Sequence, residues 1–325
     1  MSGGGSVFVE ASARLHFGVL DLRGELGRRF GGMGAAVPEP SLLLEVAPDD
    51  RLWAEGPDSA RAVAFAEQFL SHHGLAGGAR LTVHRSIPAH SGLGSGTQLG
   101  LAVARALAEL RGLGTEPAAL ARAVGRGRRS AIGTWTFGLG GFIVEGGRRV
   151  GTREIAPLLA RYAIPASWRC VVAVPDGAPG LSGDAEAAAF DQLPRPPERE
   201  VERVAHLVLM QLLPALVEGE LESFGAALTE VQRVTGAWFA PQQGGIFAPG
   251  PSAALVRRLA EWGAAGVGQS SWGPAVYGLV ESQTAGRELA ARAAELMGPT
   301  GRVFEGGFAG AGARVWRSES TGLPD

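Results

Sequence analysis

The stretch PAHSGLGSGTQLGLAVA, residues 88–104, decides the reading of this chain, because it joins a loop of small residues directly to a helix. Leu99, Val103, Ala106, Leu107 and Leu110 recur at helical spacing, so 97–111 reads as a helix with one face turned inward. The glycines then sit at the helix N-terminus. There the first backbone N–H groups lack partners, the dipole is positive, and residues without a Cβ let an anion approach the main chain. Ser91, Gly92, Leu93, Gly94, Ser95, Gly96 and Thr97 are the candidate phosphate-binding residues. A tight turn before a core helix has the same composition, so the loop needs support from the rest of the chain.

With 325 residues, 46% of them hydrophobic and 19% charged, the chain can bury the cores of two domains. Its long uncharged stretches are interrupted by Gly, Pro, Ser or Gln, and none reads as a membrane span. The N-terminus MSGGGSVFVEASARLHF has no basic region followed by an apolar block, so a cytoplasmic protein is expected. Cys170 is the one cysteine, which excludes an internal disulfide and a multi-cysteine zinc site; in the strand-like WRCVVAV it reads as an inert core thiol. A formal charge of −2 offers no general basic surface for nucleic acid. All 30 basic residues are arginines, so lysine chemistry, from a lysine-bearing P-loop to a Schiff base, is excluded.

The pattern is α+β. Strands are expected at 41–47, 80–88, 140–150 and 168–177, with helices at 64–74 and 97–111. Helices at 199–217 and 220–234 and another around Leu255, Leu259 and Trp262 follow a proline-rich stretch. A strand at 274–281, a helix at 285–297 and strands at 302–308 and 312–316 complete a second unit. The division is drawn as 1–175 and 176–325.

There is no G-x-G-x-x-G, G-x-S-x-G or H-E-x-x-H, which argues against a dinucleotide fold, an α/β-hydrolase and a zincin. The stretch 12–37 instead sets Arg14, His16, Asp21, Arg23, Glu25, Arg28 and Arg29 among glycines. Arginine forks match phosphate and carboxylate, and Asp21 and Glu25 are candidate Mg²⁺ ligands, although a solvated hairpin would also carry such charges. Arg14, His16, Arg28 and Arg29 are the candidate catalytic residues. Arg129 and Ser130 lie beside Trp135 and Phe137, an aromatic pair that either stacks a planar ring or belongs to the core. GVGQSSWGPAVYG (266–278) adds Gln269, Ser270, Ser271 and Trp272 in a second loop of small residues, and QQGG (242–245) forms a third. Arg129, Ser130, Trp135, Gln269, Ser270, Ser271 and Trp272 are the candidate substrate contacts.

Pro88–Gly96 fits P-x-x-x-G-L-G-S-[SG], and with the charged N-terminal motif and the glycine loop at 266–274 the chain resembles the GHMP superfamily. Within it, ARLHFGVLDLRGELGRRFGGMG, RRSAIGTWTFGLGGFIVEGG, GLSGDAE, LVLMQLLPAL, QQGGIF and GQSSWGPAVYG resemble the β-ribofuranosylaminobenzene 5′-phosphate synthase family of methanopterin biosynthesis, over nearly the whole chain. The resemblance implies a ribosomal-S5-like N-terminal domain, a ferredoxin-like C-terminal domain and a homodimer. It also implies condensation of phosphoribosyl pyrophosphate with 4-aminobenzoate or 4-hydroxybenzoate, with loss of CO₂ and pyrophosphate, dependent on Mg²⁺ and without ATP. The rival is an ATP-dependent kinase of the same superfamily. Many such kinases use an aspartate downstream of the phosphate loop, but no Asp lies between Asp58 and Asp176 here. A non-catalytic phosphometabolite-binding module is the third reading.

Overall fold

Small and branched apolar residues fill 6–21 and 28–49 and produce two long antiparallel strands, Ser6–Asp21 and Arg28–Asp49. The computed structural model describes residues 5–177, 179–181 and 183–318. The second strand is the hub of an eight-stranded sheet: it also pairs with Gly78–Arg85, Phe142–Glu145 and Arg148–Arg149. The charged stretch 12–37 is therefore a hairpin, as one reading of it expected, but its strands are largely buried and only the turn at 25–27 is fully solvated.

The helix Ser95–Arg111 lies against this sheet and begins two residues before the expected Thr97. Its Leu99, Leu101, Val103 and Leu107 are at most 2% exposed, each burial contributing about 1.5–3 kcal/mol. More than one face is covered, because the helices Ser59–His73 and Pro117–Ala123 also pack on it.

A second sheet has the order Arg302–Gly306, Arg169–Val174, Val276–Val280, Gly266–Gln269, all antiparallel. In chain order this is 4-1-3-2, the ferredoxin-like arrangement, with helices Pro251–Glu261 and Gln283–Met297 packed on it. The expected boundary at 175/176 falls after this sheet's first strand, and the strand Arg314–Ser318 returns to pair with Ser6–Asp21 in the first sheet. Cys170 is buried in the second sheet and burial pushes its thiol pKa up, as an inert core thiol requires.

Between the sheets run the helical segment 198–218 and the helix Leu221–Gln243. A π-turn at Val208–Leu212 stands just before Pro214, whose missing N–H cannot continue the helical ladder. Leu221, Phe224, Leu228 and Val231 form the buried face of the second helix, as their spacing predicts. Among the described residues no helix is long and apolar enough to cross a membrane.

Candidate active site

Gly94 stands immediately before the helix Ser95–Arg111 with φ 81°, a left-handed conformation that glycine adopts without strain. No side chain caps this helix end. The loop is held from both sides: Arg14 N–H donates to the Leu93 carbonyl at 3.1 Å, and Ala275 N–H donates to the Ser91 carbonyl at 3.0 Å. Ser270 Oγ donates to the Gly92 carbonyl at 2.8 Å and accepts the His16 N–H at 3.0 Å, stapling the two halves of the molecule. A Cβ on Gly92 would stand 2.2 Å from the Ser270 carbonyl oxygen, so only glycine fits there.

Three guanidinium groups converge on the helix end. Arg14 donates to the Gly92 carbonyl and lies about 3 Å from where a Gly94 Cβ would be. Arg61 and Arg126 each bring an Nη2 atom to 2.7 and 3.1 Å of the corresponding point on Gly96. Burial lowers Arg126 to about 10, and the charges of Arg61, Arg128 and Arg129 push in the same direction; burial likewise takes Arg14 to about 10. Both stay protonated at neutral pH. The Nε atoms of Arg126 and Arg148 are buried without a partner, the state expected of groups that await an anion.

These residues line a cleft of about 710 Å³. Aromatic rings line it as well: Phe30, Phe190, Phe239 and Trp272 meet edge-to-face with centroids 4.9–5.7 Å apart. Arg29 lies over the Phe30 ring at 5.1 Å and Arg129 over Phe190 at 5.5 Å. A smaller hollow of about 380 Å³, against helix Leu221–Gln243, is lined by Arg203, Arg233 and Glu200, whose charges are already paired or hydrogen-bonded.

Two of the sequence-derived candidates, His16 and Ser130, join a third residue that was not among them, Glu145, in one hydrogen-bonded chain. His16 Nδ1 accepts the Gly18 N–H at 3.3 Å, which leaves the ring proton on Nε2, 3.2 Å from Ser130 Oγ. A bulge between His16 and Gly18 turns the imidazole this way. Burial, then the charge of Arg14, pushes His16 down to about 3, so it is neutral. Ser130 in turn bonds the carboxylate of Glu145, which also accepts N–H groups from Ala131 and Gly147. Burial pushes that carboxyl up to about 7 against those three donors.

The expected phosphate residues line the cleft except Leu93, whose side chain is core. Arg14, His16 and Arg29 line it; Arg28 does not, and donates instead to the Gly147 carbonyl. Arg129, Ser130, Gln269, Ser271 and Trp272 also line it. The Gln269 amide is taken up within the protein: Oε1 accepts from Ala248, and Nε2 donates to Gln243 and Ser271. Trp135 stands outside the cleft and donates to the Ala156 carbonyl, so the aromatic wall is not the pair 135/137. Asp21 and Glu25 are also outside: Asp21 closes the hairpin turn by accepting from Arg23 and Gly24, and Glu25, 45% exposed, pairs with Arg23. Arg61, Phe30, Phe190 and Phe239 were missed because they sit in apolar or amphipathic patterns that a core explains equally well. Glu145 left one signal, a lone acid at the end of the apolar run FIVE.

Residues 60–141 match the model of the GHMP kinases N-terminal domain and residues 212–298 that of the GHMP kinases C-terminal domain. The beta-ribofuranosylphenol 5′-phosphate synthase of Methanothermobacter thermautotrophicus is 34% identical, covering 93% of this chain and 96% of that protein. The protein of the same name from Archaeoglobus fulgidus is 33% identical over 86% of this chain and 90% of its own. Among solved structures, homoserine kinase from Cytophaga hutchinsonii superposes with a TM-score of 0.66 at 17% identity, covering 96% of this chain and 97% of that one, a likeness of fold.

Proposed function

The chain belongs to the beta-ribofuranosylphenol 5′-phosphate synthase family, built on the GHMP kinase domains, and from that membership we propose that it joins phosphoribosyl pyrophosphate to 4-hydroxybenzoate or 4-aminobenzoate. The products are a C-riboside of methanopterin biosynthesis, CO₂ and pyrophosphate. Of the two acceptors, 4-hydroxybenzoate leaves a phenol on losing CO₂, which matches the relatives' name.

The observation that carries the reading is one cleft lined both by guanidinium groups around an uncapped helix N-terminus and by four aromatic rings. Breaking the C1–O bond of the donor sends an electron pair away with pyrophosphate. Arg14, Arg61 and Arg126, with the N–H groups ahead of Ser95–Arg111, support that departing charge before it develops. The ring carbon bearing the carboxylate then bonds to C1. Cleavage of its bond to the carboxylate returns the pair to the ring, restoring aromaticity. No net proton moves, in keeping with a neutral His16 whose two ring nitrogens are both engaged. Holding the two reactants together and dry is what the cleft contributes.

A magnesium ion fits only where the donor's phosphates supply most of its oxygens, because of the cleft carboxylates Glu186 is tied to Arg129. Asp184 and Asp191 of helix Gly183–Gln192 also line the cleft, and either would hold the ion alongside those phosphates. Bound there, the ion neutralises pyrophosphate charge. ATP has no place in this balance, and a kinase base is missing from the sequence between Asp58 and Asp176.

The test uses carboxyl-labelled 4-hydroxybenzoate or 4-aminobenzoate with phosphoribosyl pyrophosphate and Mg²⁺, without ATP. Labelled CO₂ is expected with at least one acceptor. ATP-dependent phosphorylation of a hydroxylated acceptor without CO₂ release would reverse the assignment.

A further inference from the structure

The aromatic cluster of the cleft is costly to build in two places. Among the described residues four that are not glycine have positive φ, and two of them set its rings: Phe30 itself at 74° and Ser271 at 57°, next to Trp272. A bulky residue in that region is a true outlier, and such strain persists at sites where geometry serves function. Phe30 is held there between Gly31, whose φ is 67°, and the arginine pair 28 and 29. A hydrophobic core needs no such device.

The rings also present edges and faces rather than a closed stack. Phe190 meets Phe30 at 84°, Phe239 at 83° and Trp272 at 79°, so each ring offers an edge to its neighbour's face. Planar aromatic guests pack into such corners by the same quadrupole geometry. Trp272 belongs to the loop whose Ser270 holds Gly92, so the aromatic corner and the phosphate loop are placed by one segment.

Taking the proposed reaction as its premise, we infer that the corner formed by Phe30, Phe190, Phe239 and Trp272 is the subsite for the ring of a para-substituted benzoate. The ring packs against Phe239 and Trp272 with its carboxyl-bearing carbon turned toward the phosphate loop. Arg29 and Arg129 stay over the outer rings, where Arg129 is paired with Glu186 and Arg29 with the Leu22 carbonyl. A carboxylate that must leave as CO₂ is better left unclamped, since a bidentate guanidinium stabilises the anion that has to be lost. The step is the one already balanced: one C–C bond forms at ribosyl C1, one breaks to CO₂, and no redox partner is involved.

The experiment measures both Michaelis constants in the CO₂ assay for the parent, Phe239→Leu, Trp272→Phe and, as a control outside the cleft, Trp135→Phe. Phe239→Leu is expected to raise the acceptor KM about tenfold while the donor KM stays within twofold, and the control leaves both unchanged. In parallel, 4-azidobenzoate is photolysed on the unmodified protein and the labelled peptides are mapped. Label on 235–247 or 271–274 supports the subsite; label on the segment bearing Trp135 overturns it. Unchanged acceptor KM in both cleft variants also overturns it, and if neither variant folds the labelling decides. Absence of CO₂ from the parent with either benzoate defeats the proposed reaction instead, while the azide still reports whether the corner takes an aromatic acid.

Discussion

Gly96→Ala separates phosphate binding from stability. Gly96 is the second residue of helix Ser95–Arg111 and has an ordinary helical φ, so alanine introduces no backbone strain. By restricting the unfolded chain it should raise stability by about 0.4–1 kcal/mol. The added methyl would lie 2.7 Å from Arg61 Nη2 and 3.1 Å from Arg126 Nη2. Ordinary contact begins near 3.4 Å, so Arg61 must retreat by about 0.7 Å (3.4 minus 2.7), which its flexible end does at little cost to the fold. That retreat removes one charged contact from the phosphate site, worth about 1.5–3 kcal/mol, or roughly 10–150-fold in Kd. Calorimetric titration of phosphoribosyl pyrophosphate with Mg²⁺, beside a thermal melt, reads both quantities. A Kd within twofold of the parent at equal or higher Tm would refute the placement of phosphates over Ser95 and Gly96. Gly94→Val is the less clean probe: at φ 81° a valine is strained whatever it does to the ligand, so stability falls too.

Arg28 and Arg29 should part company: Arg29→Ala removes the guanidinium that lies over the Phe30 ring and is expected to raise the acceptor KM about two- to fivefold, as loss of a cation–π contact of about 0.5–1 kcal/mol implies, whereas Arg28→Ala leaves it unchanged. Equal effects in steady-state kinetics would return both to one role. Glu145 should make stability pH-dependent. Its carboxyl titrates near 7 in the fold against an ordinary 4.5, so its contribution is full below about 4.5 and is lost as pH rises through 7, by up to about 1.4 kcal/mol per pH unit. His16, held near 3, acts oppositely, losing stability as pH falls below 6.5, and cancels when variants are compared. Urea unfolding of the parent and Glu145→Gln between pH 5 and 8 should therefore give a difference that shrinks toward pH 8; a constant difference would contradict the raised carboxyl.

Local chemistry was legible where it depends on neighbours in the chain. GLGSG ahead of an apolar-periodic run specifies a loop and a helix start, because capping and backbone freedom are set within a few residues. The alternation over 41–47 and 80–88 and the spacing of Leu221, Phe224, Leu228 and Val231 specify strands and a buried helix face in the same way. Charges were not legible. Arg14, Asp21, Glu25, Arg28 and Arg29 are equivalent in sequence, yet the strand pairings turn Arg14 and Arg29 into the cleft and leave the other three outside it. Trp135 and Trp272 were likewise alike until helix Ile132–Leu139 pointed one at the Ala156 carbonyl and the 270–273 loop set the other against Phe239. Sequence determined which segments form and that an uncapped helix end follows the GLGSG loop, since those follow from local propensity and backbone groups. Which side chains line the cleft at that helix end was decided by tertiary structure, because contacts between residues more than 200 positions apart, such as His16 with Ser270, have no trace in local pattern.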